Sequence, residues 1–346
     1  MRKSLQLILP TWILFLAGCG DPSLSALLPG GPVAAEQLSL IKLSITIMTF
    51  VMVVVFVIFA YVLIRYRQRP GDDHIPKQVN GNTLLEITWT AIPVLLITVL
   101  AIPTVMTTFS LSESYPEDEA DREPMTAQAA ENGLRVNVTA YTFWWEFDYP
   151  DLEINTANEL YIPTNQRVYF ELTSNDVIHS FWAPALAGKQ DANPGIINPM
   201  YFEADEPGVY EGRCAELCGA SHALMNFRVI ALEPEEFEDW VQSMKSFRPE
   251  QASTDLAKQG RDLFQQSCIA CHSLEADLRN PSGPNLALFA NREMLANHLT
   301  NNPENLAKWI ANPGEVKPGA LMPGAPELGL SDEDIAALVE YLSQLN

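Results

Sequence analysis

Apolar residues run without interruption along two stretches of this chain, alternate with polar ones in a third region, and recur with a helical period in a fourth. Leu43 to Ile64 is 22 residues long and carries no charge. At about 1.5 Å per residue, a helix of that length crosses a hydrocarbon layer of about 30 Å. Ile87 to Ser112 is also uncharged and contains Pro93 and Pro103, which spanning helices tolerate where neighbouring groups satisfy the freed carbonyls. The pattern predicts helices over about 43–64 and 87–110, joined as a hairpin within 38–112. Further on, Arg135-Val136-Asn137-Val138-Thr139-Ala140 alternates faces, Val168 to Leu172 is rich in strand formers, and Phe227 to Leu232 alternates again. A run of such strands over 131–233 suggests a sandwich or barrel. From about Thr254 the period becomes helical: Ser331-Asp332-Glu333-Asp334 reads as a helix start, followed by Ile335, Leu338, Val339 and Leu342. A fourth region over 256–346 is therefore helical, and 234–255 reads as a flexible connection to it.

Charge orients these pieces. Lys and Arg number 21 against 43 Asp and Glu, a net charge of −22, which excludes a nucleic-acid partner, whose phosphates require a basic face. The hairpin loop carries Arg65, Arg67, Arg69 and Lys77 against Asp72 and Asp73, whereas Glu113, Glu117, Asp118, Glu119 and Asp121 follow the second run. Positive charge on the cytoplasmic side puts the loop inside the cell and everything after residue 112 outside it; a buried globular hairpin is the alternative. At the N-terminus Arg2 and Lys3 precede an apolar stretch ending Leu16-Ala17-Gly18-Cys19. This fits a signal peptide over 1–18 and resembles a bacterial lipobox, which implies cleavage before Cys19 and a diacylglycerol anchor on its thiol. An uncleaved leader is the plainer reading. The expected location is the bacterial cytoplasmic (inner) membrane, multi-pass, with the later domains on the periplasmic or extracellular side.

Two clusters carry the chemistry. Cys214-Ala-Glu216-Leu-Cys218-Gly-Ala-Ser-His222-Ala-Leu-Met225 gathers two thiolates, an imidazole and a thioether, a soft donor set that selects copper over magnesium or calcium. Five cysteines, five histidines and ten methionines in the chain give about 3 × 10⁻⁵ chance occurrences of that spacing. A blue copper ion needs one thiolate, whereas two thiolates four residues apart can bridge two metals, with His179 the further imidazole. A Cys214–Cys218 disulfide and a lone zinc site are the alternatives. The second cluster, Cys268-Ile-Ala-Cys271-His272, is C-x-x-C-H, the haem attachment motif in which two thioethers hold the vinyl groups and the histidine is an axial ligand. Met322, in Pro318-Gly-Ala-Leu-Met322-Pro323, offers a sixth ligand. Met294 is the rival, on what reads as an ordinary helix face, and a thioredoxin-like pair at Cys268 and Cys271 is the redox alternative.

Residues 38–232 resemble subunit II of the haem-copper oxidases: two membrane helices followed by a cupredoxin-like β-barrel that carries the binuclear copper centre CuA. The resemblance implies that Cys214 and Cys218 bridge both coppers, that His179 and His222 cap one each, that Met225 is a weak ligand and that Glu216 gives its backbone carbonyl. It also implies that the Glu216 side chain binds magnesium at the boundary with subunit I. Glu86-Ile-Thr-Trp89-Thr-Ala-Ile-Pro93 resembles the start of the family's second helix, where the acid sits at the mouth of a proton path; a carboxylate at a helix N-terminus is also plain dipole complementarity. Tyr141-Thr-Phe143-Trp144-Trp145-Glu-Phe147-Asp-Tyr149 resembles the aromatic tract through which electrons reach CuA, although many members have Trp where this chain has Phe143. Phe143, Trp144 and Trp145 are the candidates for that role, with ordinary barrel core as the other reading.

Residues 256–346 resemble class I cytochromes c, through Gly260 and Phe264 before the haem motif and Gly283-Pro284-Asn285-Leu286 after it. The resemblance implies that the Pro284 carbonyl accepts a hydrogen bond from the axial histidine. Trp309 and the run through Met322 are similar to the caa-type oxidases, in which this cytochrome is fused to subunit II. The expected fold class is a multidomain membrane protein: a two-helix transmembrane hairpin, a cupredoxin-like β-barrel and an all-α class I cytochrome c domain. The implied function is to receive electrons for a terminal respiratory oxidase, from an upstream cytochrome or quinol-oxidising complex through covalent haem c and CuA to subunit I, with subunit III and membrane lipid as further partners. Oxygen would be reduced to water in subunit I with proton pumping, and no oxygen-reducing site lies in this chain. A subunit of a CuA-type nitric oxide reductase and a free-standing membrane-anchored electron-transfer lipoprotein are the alternatives.

Overall fold

The computed structural model describes residues 22–68, 70, 71, 75, 77–112, 133–249 and 252–346. Cys19 and the signal peptide over 1–18 lie outside the described residues, as does His74. The described residues within 35–113 form one compact unit, and those within 1–34 and 114–346 form the other.

The first unit is helical. α1 spans Pro32–Arg65 and α2 spans Thr83–Ser110, both longer at their N-terminal ends than the uncharged runs predict. The extra turns of α1 hold Glu36 and Lys42, which end the charge-free window without ending the helix. Pro32 opens α1 at its first helical position, where a missing N–H costs nothing. Asn82 caps α2 by accepting from the Leu85 N–H. Pro93 and Pro103 lie within α2, and the hydroxyls of Thr88, Thr90, Thr98, Thr104 and Thr108 each bond back to the carbonyl four residues earlier. That pairing satisfies each of these five hydroxyls within the helix, as an apolar surround requires. Thr107 Oγ1 donates to Glu36 Oε1 at 2.9 Å and so links the two helices. The most apolar windows of the two helices are almost entirely unburied, as expected of elements whose apolar faces are meant for lipid.

The second unit starts with a β-sandwich. Its strands are β1 Leu134–Tyr141, β2 Trp144–Tyr149, β3 Ile154–Ala157, β4 Glu159–Pro163, β5 Val168–Ser174, β6 His179–Trp182, β7 Gln190–Ala192, β8 Asn198–Phe202, β9 Gly208–Cys214 and β10 Asn226–Leu232. They form two five-stranded sheets, ordered β3-β2-β1-β5-β8 and β4-β10-β9-β6-β7. The β1 alternation puts Val136, Val138 and Ala140 inside with no exposure. Between the sheets Trp145, Phe147, Phe170, Phe181, Phe202 and Phe227 make an aromatic core, with Phe181 stacked on Phe227 at 4.2 Å.

The chain does not continue as a flexible connection. Residues 234–246, expected within a loose tether, form helix α3 (Pro234–Ser246), opened by Pro234 and a capping box between Glu233 and Glu236. Phe237, Val241 and Met244 are buried at helical spacing, and Trp240 stacks on Tyr161 of β4 at 4.6 Å with the rings 11° apart. Seating an apolar helix face on the sandwich removes the freedom a tether would need.

The last segment folds around α4 Asp255–Ser267 and α8 Asp332–Leu342. Between them lie β11 Met294–Leu295, β12 Leu299–Thr300, α5 Pro303–Ala311, α6 Pro313–Val316 and α7 Ala325–Leu328. Met294 is thus on a two-residue strand paired with Leu299–Thr300 rather than on the expected helix face. A two-residue ladder is too short to leave a periodic signal in the sequence. Thr254 caps α4 through the Ala257 N–H, and Ser331 with Asp334 forms the capping box of α8. A Cβ on Gly260 would lie 1.9 Å from the Ala337 carbonyl oxygen, so only glycine lets α4 and α8 cross this closely. Phe264 and Tyr341 fill the crossing, together with Ile335, Leu338 and Leu342.

Candidate redox centres

The copper-type donors converge at one end of the sandwich. β6 pairs with β9 so that Phe181 faces Cys214 and Trp182 faces Arg213, which brings His179, at the start of β6, beside Cys214, at the end of β9. The chain then loops through Cys218 and a 3₁₀ turn over His222–Leu224. That loop is closed by the Cys214 N–H donating to the Met225 carbonyl at 3.0 Å and the Ala215 N–H to the Ser180 carbonyl at 2.9 Å.

Within this frame each thiol has its own imidazole. Cys214 Sγ lies 3.9 Å from His179 Nδ1, and Cys218 Sγ lies 3.7 Å from His222 Nδ1. The two sulfurs are 3.8 Å apart and both cysteines are free, so the disulfide reading does not hold. Met225 Sδ stands 3.8 Å from Cys218 Sγ, and the Glu216 carbonyl oxygen 3.2 Å from Cys214 Sγ. His179, Cys214 and Cys218, all buried, bring their ligand atoms within 4.8 Å of one another. The donor set therefore fits a pair of soft ions: two sulfurs between, one imidazole at each side, a thioether and a carbonyl at the ends. The Glu216 carboxylate turns the other way, with Lys189 Nζ 3.9 Å off.

Electrostatics tune the cluster before any metal arrives. The hydrogen bond between the two thiols holds Cys214 far below its ordinary range, against an opposing push from burial; the same bond drives Cys218 upward. Burial works to lower the His179 imidazole, but hydrogen bonds with Cys214 and Asp176 raise it on balance. Asp176 Oδ1 holds His179 Nε2 at 2.8 Å, which leaves Nδ1 aimed at the sulfurs. Asp176 is itself fixed by the backbone N–H groups of Thr142 and Val177, both at 2.6 Å; burial raises its pKa, but these bonds and His179 bring it below the ordinary carboxylate value. Such a carboxylate behind a ligating imidazole sets the ring's tautomer and angle. Sequence reading passed over Asp176, although its place three residues before His179 was a usable signal.

The aromatic tract divides. Trp145 has no exposure and its ring lies 6.0 Å from the His179 ring, as part of the sandwich core. Trp144 is half-buried and stacks on Tyr141 at 4.3 Å. Phe143 is only 4% exposed. Glu86 is exposed in the first turn of α2.

The haem motif follows α4, with Cys268 and Cys271 both free. His272 Nδ1 donates to the Pro284 carbonyl at 2.8 Å, which leaves Nε2 available to a metal. Burial pulls the His272 pKa down, with the Pro284 bond opposing, a shift toward the neutral form that a ligand needs. A Cβ on Gly283 would meet the Cys271 carbonyl oxygen and the His272 ring at 2.9 Å, so this loop can close on the histidine only with glycine there. Two free thiols beside an oriented imidazole fit a thioether-linked haem. Met322 sits half-buried on the irregular stretch between α6 and α7, away from the C-x-x-C-H segment in sequence, and Trp309 packs against the domain's core from α5.

Three families match this chain: "Cytochrome C oxidase subunit II, transmembrane domain" over residues 29–106, "Cytochrome C oxidase subunit II, periplasmic domain" over 146–232, and "Cytochrome c" over 257–346. Cytochrome c oxidase subunit 2 of Alkalihalophilus pseudofirmus is 47% identical, covering 96% of this chain and 94% of that protein. The protein of the same description from Bacillus subtilis is 45% identical over 99% of this chain and 97% of its own. Quinol oxidase subunit 2 of Bacillus subtilis is 38% identical, covering 72% of this chain and 74% of that protein. Matching subunit II families at both the helical pair and the sandwich, with a cytochrome c family after them, this chain belongs to the cytochrome c oxidase subunit II family, in a form that carries its own cytochrome c domain.

Proposed function

We propose that this subunit receives electrons for a bacterial terminal oxidase, from an upstream cytochrome or quinol-oxidising complex, through covalent haem c at 256–346 and then the binuclear copper centre CuA at 131–233, to subunit I. The observation that carries the reading is the separate pairing of Cys214 with His179 and of Cys218 with His222 at 3.9 and 3.7 Å. A single blue copper takes one thiolate with two imidazoles and leaves the second thiolate unused, and a zinc ion would have no use for the Met225 thioether beside it, so the full set favours a copper pair. When bound, the haem and the copper pair supply one-electron redox chemistry. Cys214 and Cys218 would hold the copper pair, together with His179 and His222, with Met225 and the Glu216 carbonyl as weaker donors. Cys268 and Cys271 would attach the haem, and His272 and Met322 would ligate its iron. Pro284 fixes the His272 tautomer.

The remaining assignments complete this reading. The outward Glu216 carboxylate suits magnesium at the boundary with subunit I, and Glu86 suits the mouth of a proton path. Trp144, half-exposed, is the best of the three aromatic candidates for electron input, because Trp145 and Phe143 are covered. Subunit III is a further partner, and oxygen is reduced to water with proton pumping in subunit I. Cys19 carries a lipid, and the two apolar helices anchor the subunit in the inner membrane with the redox domains on the periplasmic or extracellular side. The test is to purify the native complex, identify its largest subunit and haems, and follow the copper band after flash reduction of haem c. Reduction of copper at the expense of haem c is the expected result. A complex that lacks a haem-copper subunit, or copper that stays oxidised, would overturn the reading.

A further inference from the structure

Lys317 is 3% exposed, and burying an amine is costly unless its protons are all used. Its Nζ donates to the Phe143 carbonyl at 2.8 Å and to the Ala296 carbonyl at 2.9 Å. Phe143 belongs to the β1–β2 turn of the sandwich and Ala296 to the β11–β12 turn of the cytochrome domain, so one side chain satisfies a backbone acceptor on each. The next residue repeats the arrangement: the Pro318 carbonyl accepts from Ser221 Oγ at 2.7 Å, and Ser221 is 1% exposed. Gly319 follows so near the sandwich that a Cβ there would lie 3.3 Å from the Phe143 ring and 3.6 Å from Ala220. Ser221 directly precedes His222, and Pro318 opens the stretch that ends at Met322. The segment bearing the haem's sixth ligand is therefore fastened by buried hydrogen bonds to the loop bearing the copper ligands.

These contacts are reinforced on the same face. Arg279 pairs with the buried Glu146, and Glu159 Oε1 accepts from the Glu293 and Met294 N–H groups at 3.0 and 3.1 Å. Asn297 Nδ2 donates to Asn158 Oδ1 and the Asn226 carbonyl at 2.9 and 2.8 Å. Such a set has one register, because any sliding leaves buried donors and acceptors unpaired. We propose that Lys317, with Ser221, is a positioning residue that holds the 318–322 loop against the 218–222 loop, so that electrons cross a standing contact between the domains and not one made by a swinging domain. This deepens the function proposed above and rests on it. Lys317 takes no part in the redox balance, which is one electron from ferrous haem to the copper pair with no bond or proton change.

The test uses the full-length chain in its complex, compared with Lys317→Met and with Ser221→Ala. In the parent, the haem-to-copper rate is expected to be independent of solvent viscosity. In Lys317→Met it should fall about tenfold, as misplacement of reacting groups does, and become viscosity-dependent, with the spectra and potentials of both centres unchanged. Ser221→Ala should move the same way by less. Amide hydrogen exchange should rise over 140–145 and 317–322 in both variants, a readout that needs no electron transfer. If Lys317→Met fails to accumulate, Ser221→Ala and the parent's viscosity profile decide. A parent rate that falls in proportion to viscosity would overturn the proposal, as would variants within about twofold of the parent or variants that lose the haem or copper spectrum. Because these outcomes are read in protein that contains both centres, they are distinct from failure of the functional reading, which would show as a missing centre.

Discussion

The copper cluster and the haem motif sit in one chain but are built on opposite plans. The copper donors are brought together by the protein alone: strand pairing fixes His179 beside Cys214, a hydrogen-bonded loop returns Cys218, His222 and Met225, and Asp176 aims the first imidazole. The haem motif has one half set, with His272 held by Pro284, whereas Met322 stands on a separate segment. A rigid sandwich can preorganise a set of ligands that must barely move, which suits a centre whose geometry should change little on gaining an electron. On the proposed reading the cytochrome domain would instead take its last constraint from the haem, which would tie the C-x-x-C-H segment to the loop of Met322.

This contrast can be broken most sharply at the sulfurs. Cys214→Ser removes a ligand common to both coppers and is expected to abolish the mixed-valence copper signal while the haem absorption stays intact, as paramagnetic resonance and optical spectra of one sample would reveal. Loss of both would mean that the two centres do not assemble independently. Asp176→Asn leaves every copper ligand in place but weakens the brace on His179, and copper retention against a chelator should drop by about 10- to 100-fold. On the haem side, Met322→Leu should keep the haem covalently attached and lower its reduction potential by on the order of 100 mV, since axial ligands set that quantity. An unchanged potential would move the sixth ligand elsewhere, Met294 included.

Smaller effects probe the seam between the two plans. Trp240→Ala removes the ring stacked on Tyr161 and should cost about 1 kcal/mol of stability, visible in thermal unfolding as a loosened α3. At Lys317, burial lowers the amine from its ordinary value to about 7. The unfolded chain therefore binds a proton there up to a pKa of about 10.5 that the native protein has released above 7, and stability should rise with pH across that window. Below pH 7 both states are protonated and the dependence vanishes. In Lys317→Met this contribution, at most about 1.4 kcal/mol per pH unit inside that window, should be absent, and the rise in Tm between about pH 7 and 10 should flatten accordingly.

What the sequence disclosed follows from how far apart the cooperating residues lie. The copper loop was readable because four of its donors fall within twelve residues, and α8 because its cap and buried face are local. Helix α3 was missed since the acidic Glu233-Pro234-Glu235-Glu236 start reads as linker, yet Phe237, Trp240, Val241 and Met244 carried the helical spacing. The seam was invisible for a deeper reason. Lys317, Arg279 and Asn297 look like ordinary surface residues in their local windows, and their acceptors on the sandwich lie about 70 or more residues away. Only the assembled sandwich and cytochrome domain reveal that these side chains are used.

On the proposed reading one chain holds a copper pair and a haem as separate, complete centres. Copper and iron quantified in the full-length chain, purified away from other subunits and fully loaded, decide this. A copper-to-iron ratio of about 2 to 1 with a mixed-valence copper signal is expected. A ratio of about 1 to 1, or iron without covalently bound haem, would contradict it.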